Sequence, residues 1–180
     1  RVRQRDYLLE ISRALTGELN LSKLLTMILN ISVEMLAGHA GFIALLEPPK
    51  GWSIAVSQSL PDALLRYLDN WIQNIPPDSD PGQMQIPEIT RFLKDVSMGL
   101  LSGVGLPLVA QDEVIGLIYI FRNYPGIFST NDRSLLSSFA NQAAIVVRNA
   151  RLYTETMTEK MRMDALLDSA ADGMLILTPD

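Results

Sequence analysis

Two pairs of apolar runs, far apart in the chain, most constrain what it can become. Phe42-Ile43-Ala44-Leu45-Leu46 is closed by Pro48-Pro49-Lys50-Gly51, and Trp52-Ser53-Ile54-Ala55-Val56-Ser57 follows with apolar and small residues alternating. Further on, Ser102-Gly103-Val104-Gly105-Leu106-Pro107-Leu108-Val109 leads through Ala110-Gln111-Asp112-Glu113 into Val114-Ile115-Gly116-Leu117-Ile118-Tyr119-Ile120-Phe121. Connections this short join antiparallel neighbours, so each pair reads as a hairpin, the second with a four-residue connection. Strands are expected at 41–47, 52–58, 102–109 and 113–121. Helical patterns precede, separate and follow the hairpins. The fold class is therefore α+β: a central antiparallel β-sheet with helices on both faces.

The helical patterns are specific. Leu8, Ile11 and Leu15 mark a short helix over residues 1–18, broken by Gly17. Asn20 or Ser22 can cap a second helix carrying Leu24, Leu25, Ile28, Leu29, Met35 and Leu36, and Gly38 suits the left-handed position that ends it. Leu64, Leu65, Leu68, Trp71, Ile72 and Ile75 form a stripe within 60–75; residues 76–87 read as a loop and 89–95 as one more short helix. Ser129 and Asp132 stand in capping-box relation ahead of Leu135, Leu136, Phe139, Ala140, Ala143, Val146, Val147 and Ala150. Past that face, Ala143, Val146, Ala150, Tyr153, Met157 and Met161 continue in steps of three and four, a heptad seam with one stutter near its end.

Composition removes whole classes of function. A formal net charge of −5 leaves no basic stripe for nucleic acid. No apolar run reaches the ~18 residues of a membrane span, so no membrane insertion is expected of this segment. The absence of cysteine excludes disulfides, thiolate catalysis and cysteine-ligated metals. His39, the only histidine, cannot assemble a transition-metal set alone and reads as a surface turn residue. Asp62, Asp69, Asp78, Asp80 and Glu88 lack the stepwise spacing of a calcium loop. Gly103 and Gly105 lie in a strand pattern and open no helix, so they cradle no phosphate. Gly116 clears room for a ligand or a packed helix, or marks a bulge or close backbone contact. No nucleophile, base or metal set is assembled, and neither an enzyme nor a cofactor is expected.

The string Gly126-Ile127-Phe128-Ser129-Thr130-Asn131-Asp132-Arg133-Ser134-Leu135-Leu136, running on through Ala140-Asn141-Gln142-Ala143-Ala144 to Asn149-Ala150-Arg151-Leu152-Tyr153, resembles the closing helix of GAF domains, regulatory modules of bacterial sensor proteins. Leu21-Ser22-Lys23-Leu24-Leu25 with Ala40–Leu45 resembles their first helix and strand. Gly105-Leu106-Pro107-Leu108 with Glu113–Ile118 resembles their central hairpin. The resemblance covers residues 20–153. It leaves 1–19 as a linker helix, 154–165 as a connecting helix, and 166–180 as a segment similar to the start of a PAS domain: a first helix, an Asp172-Gly173 turn and a first strand.

The resemblance implies a cytoplasmic input domain in a two-component signalling protein, a sensor histidine kinase by its domain company, of which this chain is expected to be a segment. It implies that helices 22–36 and 131–155 share one sheet face. The variable insert 60–98 should roof the other, over a pocket lined by Tyr67, Trp71, Phe92, Val104 and Leu106 that holds an unknown small molecule non-covalently. Lacking the linking cysteine, the chain cannot hold a covalent bilin. The alternative is a ligand-free relay and dimerisation module. In either case the later part of the Ala143–Met161 seam is expected to pair with a second copy in a homodimer through the terminal helices.

Overall fold

The computed structural model describes residues 21–74 and 99–174, with side chains through Ser169. The helices expected at 1–18 and 89–95 and the loop at 76–87 lie outside the described residues. The chain divides into two compact units, Arg1–Val147 and Arg148–Asp180.

The first unit is built on an antiparallel sheet of β1 (Ala40–Glu47), β2 (Gly51–Gln58), β3 (Ser102–Ala110) and β4 (Glu113–Arg122), in the order β2-β1-β4-β3. All expected strands form, with ends within one residue of expectation. The centre is the β1–β4 pair, running from Ala40↔Phe121 to Leu45↔Gly116. Both central strands are covered on two faces, which is why β1 and β4 read as continuous apolar runs.

The helices divide between the faces as expected. α1 (Leu21–Met35) and the first part of α3 (Thr130–Met174) share one face, where Leu25, Ile28 and Leu29 pack with Ile43, Ile118 and Ile120 and with Leu136, Phe139, Ala143 and Val147. α2 (Asp62–Gln73) covers the other, setting Leu64, Leu68 and Ile72 against Phe42, Leu117, Tyr119 and Phe121.

Local chemistry departs from expectation at several corners. Ser22 lies within α1 rather than capping it, and Asn20 is outside the described residues. The residue in left-handed conformation after α1 is Ala37 (φ 49°), not Gly38. Ala37 N–H donates to Glu34 O and Gly38 N–H to Val33 O, the paired bonds of a Schellman ending. Gly38 serves close approach instead: a Cβ there would lie 2.6 Å from Ile120 Cγ2 and 3.3 Å from the Phe121 carbonyl oxygen. The β3–β4 connection is two residues, not four, since Ala110 already pairs with Glu113; Gln111 (φ 51°) and Asp112 (φ 64°) both take the left-handed values a type I′ turn demands.

Bulges adjust the faces. Ile43 pairs with Val56 but Ala44 with Ile54, leaving Ala55 unpaired. Ile54 therefore joins the α2 side while Val56 joins the α1 side, although the plain alternation of the sequence puts them together. A second shift leaves Ile115 unpaired beside Gly116, and a Cβ on Gly116 would lie 2.7 Å from the Ala44 carbonyl oxygen, so that glycine marks close backbone contact next to a bulge.

The second unit, described from Arg148, is helical to Met174. The turn expected at Asp172-Gly173 is absent, and both residues continue the helix. The first strand expected after that turn lies outside the described residues. Its apolar side chains are exposed: Tyr153 by 53%, Met161 by 64% and Leu167 by 61%.

Candidate functional site

The face of the sheet under α2 has an aromatic floor. Phe42 on β1 stands directly opposite Tyr119 on β4, ring centroids 5.6 Å apart and nearly parallel at 6°. Tyr119 also stacks on Phe121 at 5.4 Å. Each such pair contributes about 0.5–1.5 kcal/mol beyond simple burial. The rings extend over the neighbouring edge strand because β3 offers no side chain there. Gly105 pairs with Tyr119 and Gly103 with Phe121, and a Cβ on Gly105 would meet Tyr119 Cε2 at 2.0 Å. These glycines make room for aromatic rings.

This arrangement corrects the expected pocket. Val104 and Leu106 do not line the α2 side: they belong to the core formed with α1 and α3. Strand alternation places Gly103, Gly105 and Pro107 on the aromatic face, and Val104, Leu106 and Leu108 on the other. Tyr67 and Trp71 are on the expected side, half-buried on α2 against the aromatic cluster. Phe92 lies outside the described residues. Among the described residues, the expected set is therefore brought together at Tyr67 and Trp71 alone. An open groove of ≈ 390 Å³ between β2 and α2 is lined by Ile54, Ala55, Val56, Ser57, Leu65, Arg66 and Asp69, none of them an expected pocket residue.

Trp52 adds a polar group to this face, beside the hydroxyl-bearing Tyr67 and Tyr119. It is 4% exposed, packs in the same cluster, and its Nε1–H finds no acceptor among the described residues. A buried donor left unpaired costs about 1–3 kcal/mol, so an acceptor brought to it gains accordingly.

Sequence reasoning missed Arg122. It ends β4, is 7% exposed, and donates through Nε (3.0 Å) and Nη2 (2.6 Å) to the carbonyl of Leu36 just beyond α1. Nη2 also pairs with Asp132 Oδ2 at 3.2 Å, and the guanidinium lies 3.9 Å from the centroid of Phe128. The Tyr124 hydroxyl donates to Ala37 O beside it. The capping box forms as expected: Ser129 N–H donates to Asp132 Oδ2 and Asp132 N–H to Ser129 Oγ. That Ser129 N–H bond holds the Asp132 carboxyl below its ordinary pKa; partial burial opposes the shift, and Arg122 and the Ser129 hydroxyl reinforce it. The only hint in the sequence was a lone arginine closing an apolar strand ten residues before a capping aspartate.

On α3, Ala143 and Val146 are consumed by the core of the first unit, at 0% and 1% exposure. In the second unit Ala150 is half-buried, and Tyr153, Met157 and Met161 are exposed. The seam thus changes from domain core to open surface within two turns. His39 is exposed at the corner before β1, its N–H donating to Phe121 O.

A family model for the GAF domain matches residues 20–147. Among solved structures, the chain is similar to a domain assigned to a two-component sensor histidine kinase of Sinorhizobium meliloti 1021 (TM-score 0.60, 14% identity, covering 75% of this chain and 95% of that one). It is similar to the phycoerythrobilin-bound GAF domain of a cyanobacterial phytochrome (TM-score 0.61, 15% identity, 84% and 97%). It also resembles the GAF domain of an Acinetobacter phosphoenolpyruvate-protein phosphotransferase (TM-score 0.57, 16% identity, 85% and 98%). At these identities the likeness is one of fold.

Proposed function

Because the chain belongs to the GAF domain family, a family of regulatory rather than catalytic modules, we propose that it is the sensory input domain of a signal-transduction protein, one that binds a small molecule non-covalently on the aromatic face of its sheet. The observation that carries this reading is the pairing, on one face, of a stacked aromatic floor with a buried Trp52 N–H that has no acceptor among the described residues. That combination suits a flat, largely apolar ligand carrying a hydrogen-bond acceptor. Tyr67 and Trp71 on α2 supply the amphipathic wall above it. A bilin-bound GAF domain among the similar structures supports the same class of site, although a covalent bilin has no cysteine to join here.

The relay half of the proposal rests on α3. Its exposed apolar residues after Val147 are proposed to pair with the same helix of a second copy, in parallel, so that a ligand preferring one helix arrangement shifts both chains together. The segment 166–180 is proposed to lead into a PAS domain and the parent protein to be a cytoplasmic histidine kinase; the sensor-kinase domain among the similar structures supports that direction. No helix among the described residues is long and apolar enough to cross a membrane. The second reading, a ligand-free relay, is favoured by the tight burial of Tyr119 and Phe121.

Two measurements test the proposal. Native mass spectrometry of the purified chain, with thermal-shift screening of flat aromatic acceptors, is expected to find a bound species or a ligand-dependent rise in melting temperature; neither appearing would leave the relay alone. In sedimentation of the full-length protein, Ala150→Glu with Tyr153→Glu is expected to convert dimers to monomers with an unchanged far-ultraviolet spectrum. A native full-length protein that sediments as a monomer would refute the paired helix.

A further inference from the structure

We propose that Arg122 is a positioning residue that couples the aromatic face of the sheet to the start of α3. The argument begins with strand alternation. Phe121 and Arg122 are consecutive on β4, so their side chains leave the sheet on opposite sides. The Phe121 ring lies in the aromatic cluster, within stacking distance of both Tyr119 and Phe42. The Arg122 guanidinium lies on the other side, bonded to the end of α1 at Leu36 and to the cap of α3 at Asp132, and seated on Phe128. One peptide unit thus crosses the thickness of the sheet, from the proposed ligand face to the helix that carries the output.

The grip on both sides is firm. Phe121 is fully buried and packed between aromatic neighbours, so a displaced ring must move its own backbone. The planar guanidinium makes several charge-assisted bonds in fixed directions, so a moved Arg122 draws on the Leu36 carbonyl and the Asp132 carboxylate at once. Asp132 is in turn bonded to the Ser129 N–H that opens the helix. A shift of β4 therefore reaches the first turn of α3 through groups already under directional constraint. Arg122 touches no ligand in this scheme. It sets how closely the helix start follows the sheet.

The inference rests on the ligand-face reading, yet its test needs no ligand. Phe42→Leu perturbs the aromatic face from β1, a strand that does not contain Arg122, and amide hydrogen exchange reads the first turns of α3 at 133–137. In the otherwise native chain this substitution is expected to speed exchange there about fivefold through local opening. In an Arg122→Met background, where exchange is already faster, it is expected to add nothing. An equal increase in both backgrounds, or none in the native one, would overturn the coupling. If Arg122→Met does not fold, Arg122→Lys serves, keeping the charge without the fork; the increment should then fall between, and an undiminished increment would again overturn the proposal. A purely structural role would lower stability in each variant without making one effect depend on the other. Failure of the thermal-shift search would remove the ligand, not this coupling.

Discussion

Replacing Gly105 by alanine is a severe test of how the aromatic floor is built. The added Cβ would fall 2.0 Å from Tyr119 Cε2, 2.3 Å from Cδ2 and 2.8 Å from Cζ. Carbon atoms rest about 3.5–4.0 Å apart, so the overlap is roughly 1.5 Å and spans half the ring. Tyr119 must swing away, and it cannot do so while stacked on Phe42 and Phe121. Losing both stacks costs about 1–3 kcal/mol. Overpacking a tight core adds a comparable amount where the ring cannot fully relax. A net loss of about 2–4 kcal/mol is expected, which for a chain of this size lowers the melting temperature by roughly 5–15 °C.

The assay is a double-mutant cycle by urea unfolding, followed by tryptophan fluorescence and far-ultraviolet circular dichroism. In a Tyr119→Val background the ring is gone, and Gly105→Ala should be neutral or stabilising by about 0.5 kcal/mol, because alanine loses less freedom than glycine on folding. The coupling energy is then about 2–4 kcal/mol, well above the error of such cycles. An equal cost of Gly105→Ala in both backgrounds would refute the idea that this glycine exists for the ring.

Other substitutions test other corners. Ala37→Gly should raise stability by about 0.5–1 kcal/mol in urea unfolding, since a left-handed alanine is strained and glycine is not; a loss would mean that the alanine methyl contributes packing at the helix end. Asp132 has a pKa depressed by folding, so its contribution is complete above the unfolded carboxylate value and fades as pH falls through the lower folded one. The stability gap between the native chain and Asp132→Asn should thus stay level from about pH 7 to 5 and close below about pH 4. A gap that widens on acidification would contradict the assigned bonds.

How much of this was legible follows from which constraints are local. The apolar runs of β1 and β4 and the Ser129–Asp132 capping box each satisfy themselves within a few residues, and they formed as written. Side-chain facing on β3 was not local. Val104 and Leu106 alternate plainly with Gly103 and Gly105, but both faces of this sheet are covered, so alternation cannot say which set faces which layer. The answer lies on β4, in the size of Tyr119. On β2, the extra residue Ala55 separates Ile54 from Val56 without any trace in composition. The Ala37-Gly38 pair misled because glycine is the usual left-handed residue, whereas here Ile120 and the Phe121 carbonyl oxygen, remote in sequence, claim its lack of a side chain. Arg122 could not be singled out from the sequence, because Leu36, Phe128 and Asp132, which converge on it, are brought there only by the fold.

The order of strands has a consequence for how such a domain can change over time. Each hairpin forms between neighbours in sequence, and the one distant event is the meeting of β1 with β4, which closes the chain around everything between Gln58 and Ser102. The entropy of that closure grows only with the logarithm of the length enclosed, about 0.6 kcal/mol per doubling. Residues can therefore be inserted into or removed from the stretch beyond α2 with little effect on whether the sheet assembles. Changes of length there are the ones the sheet registers least, so that stretch can vary while the framework around it stays the same.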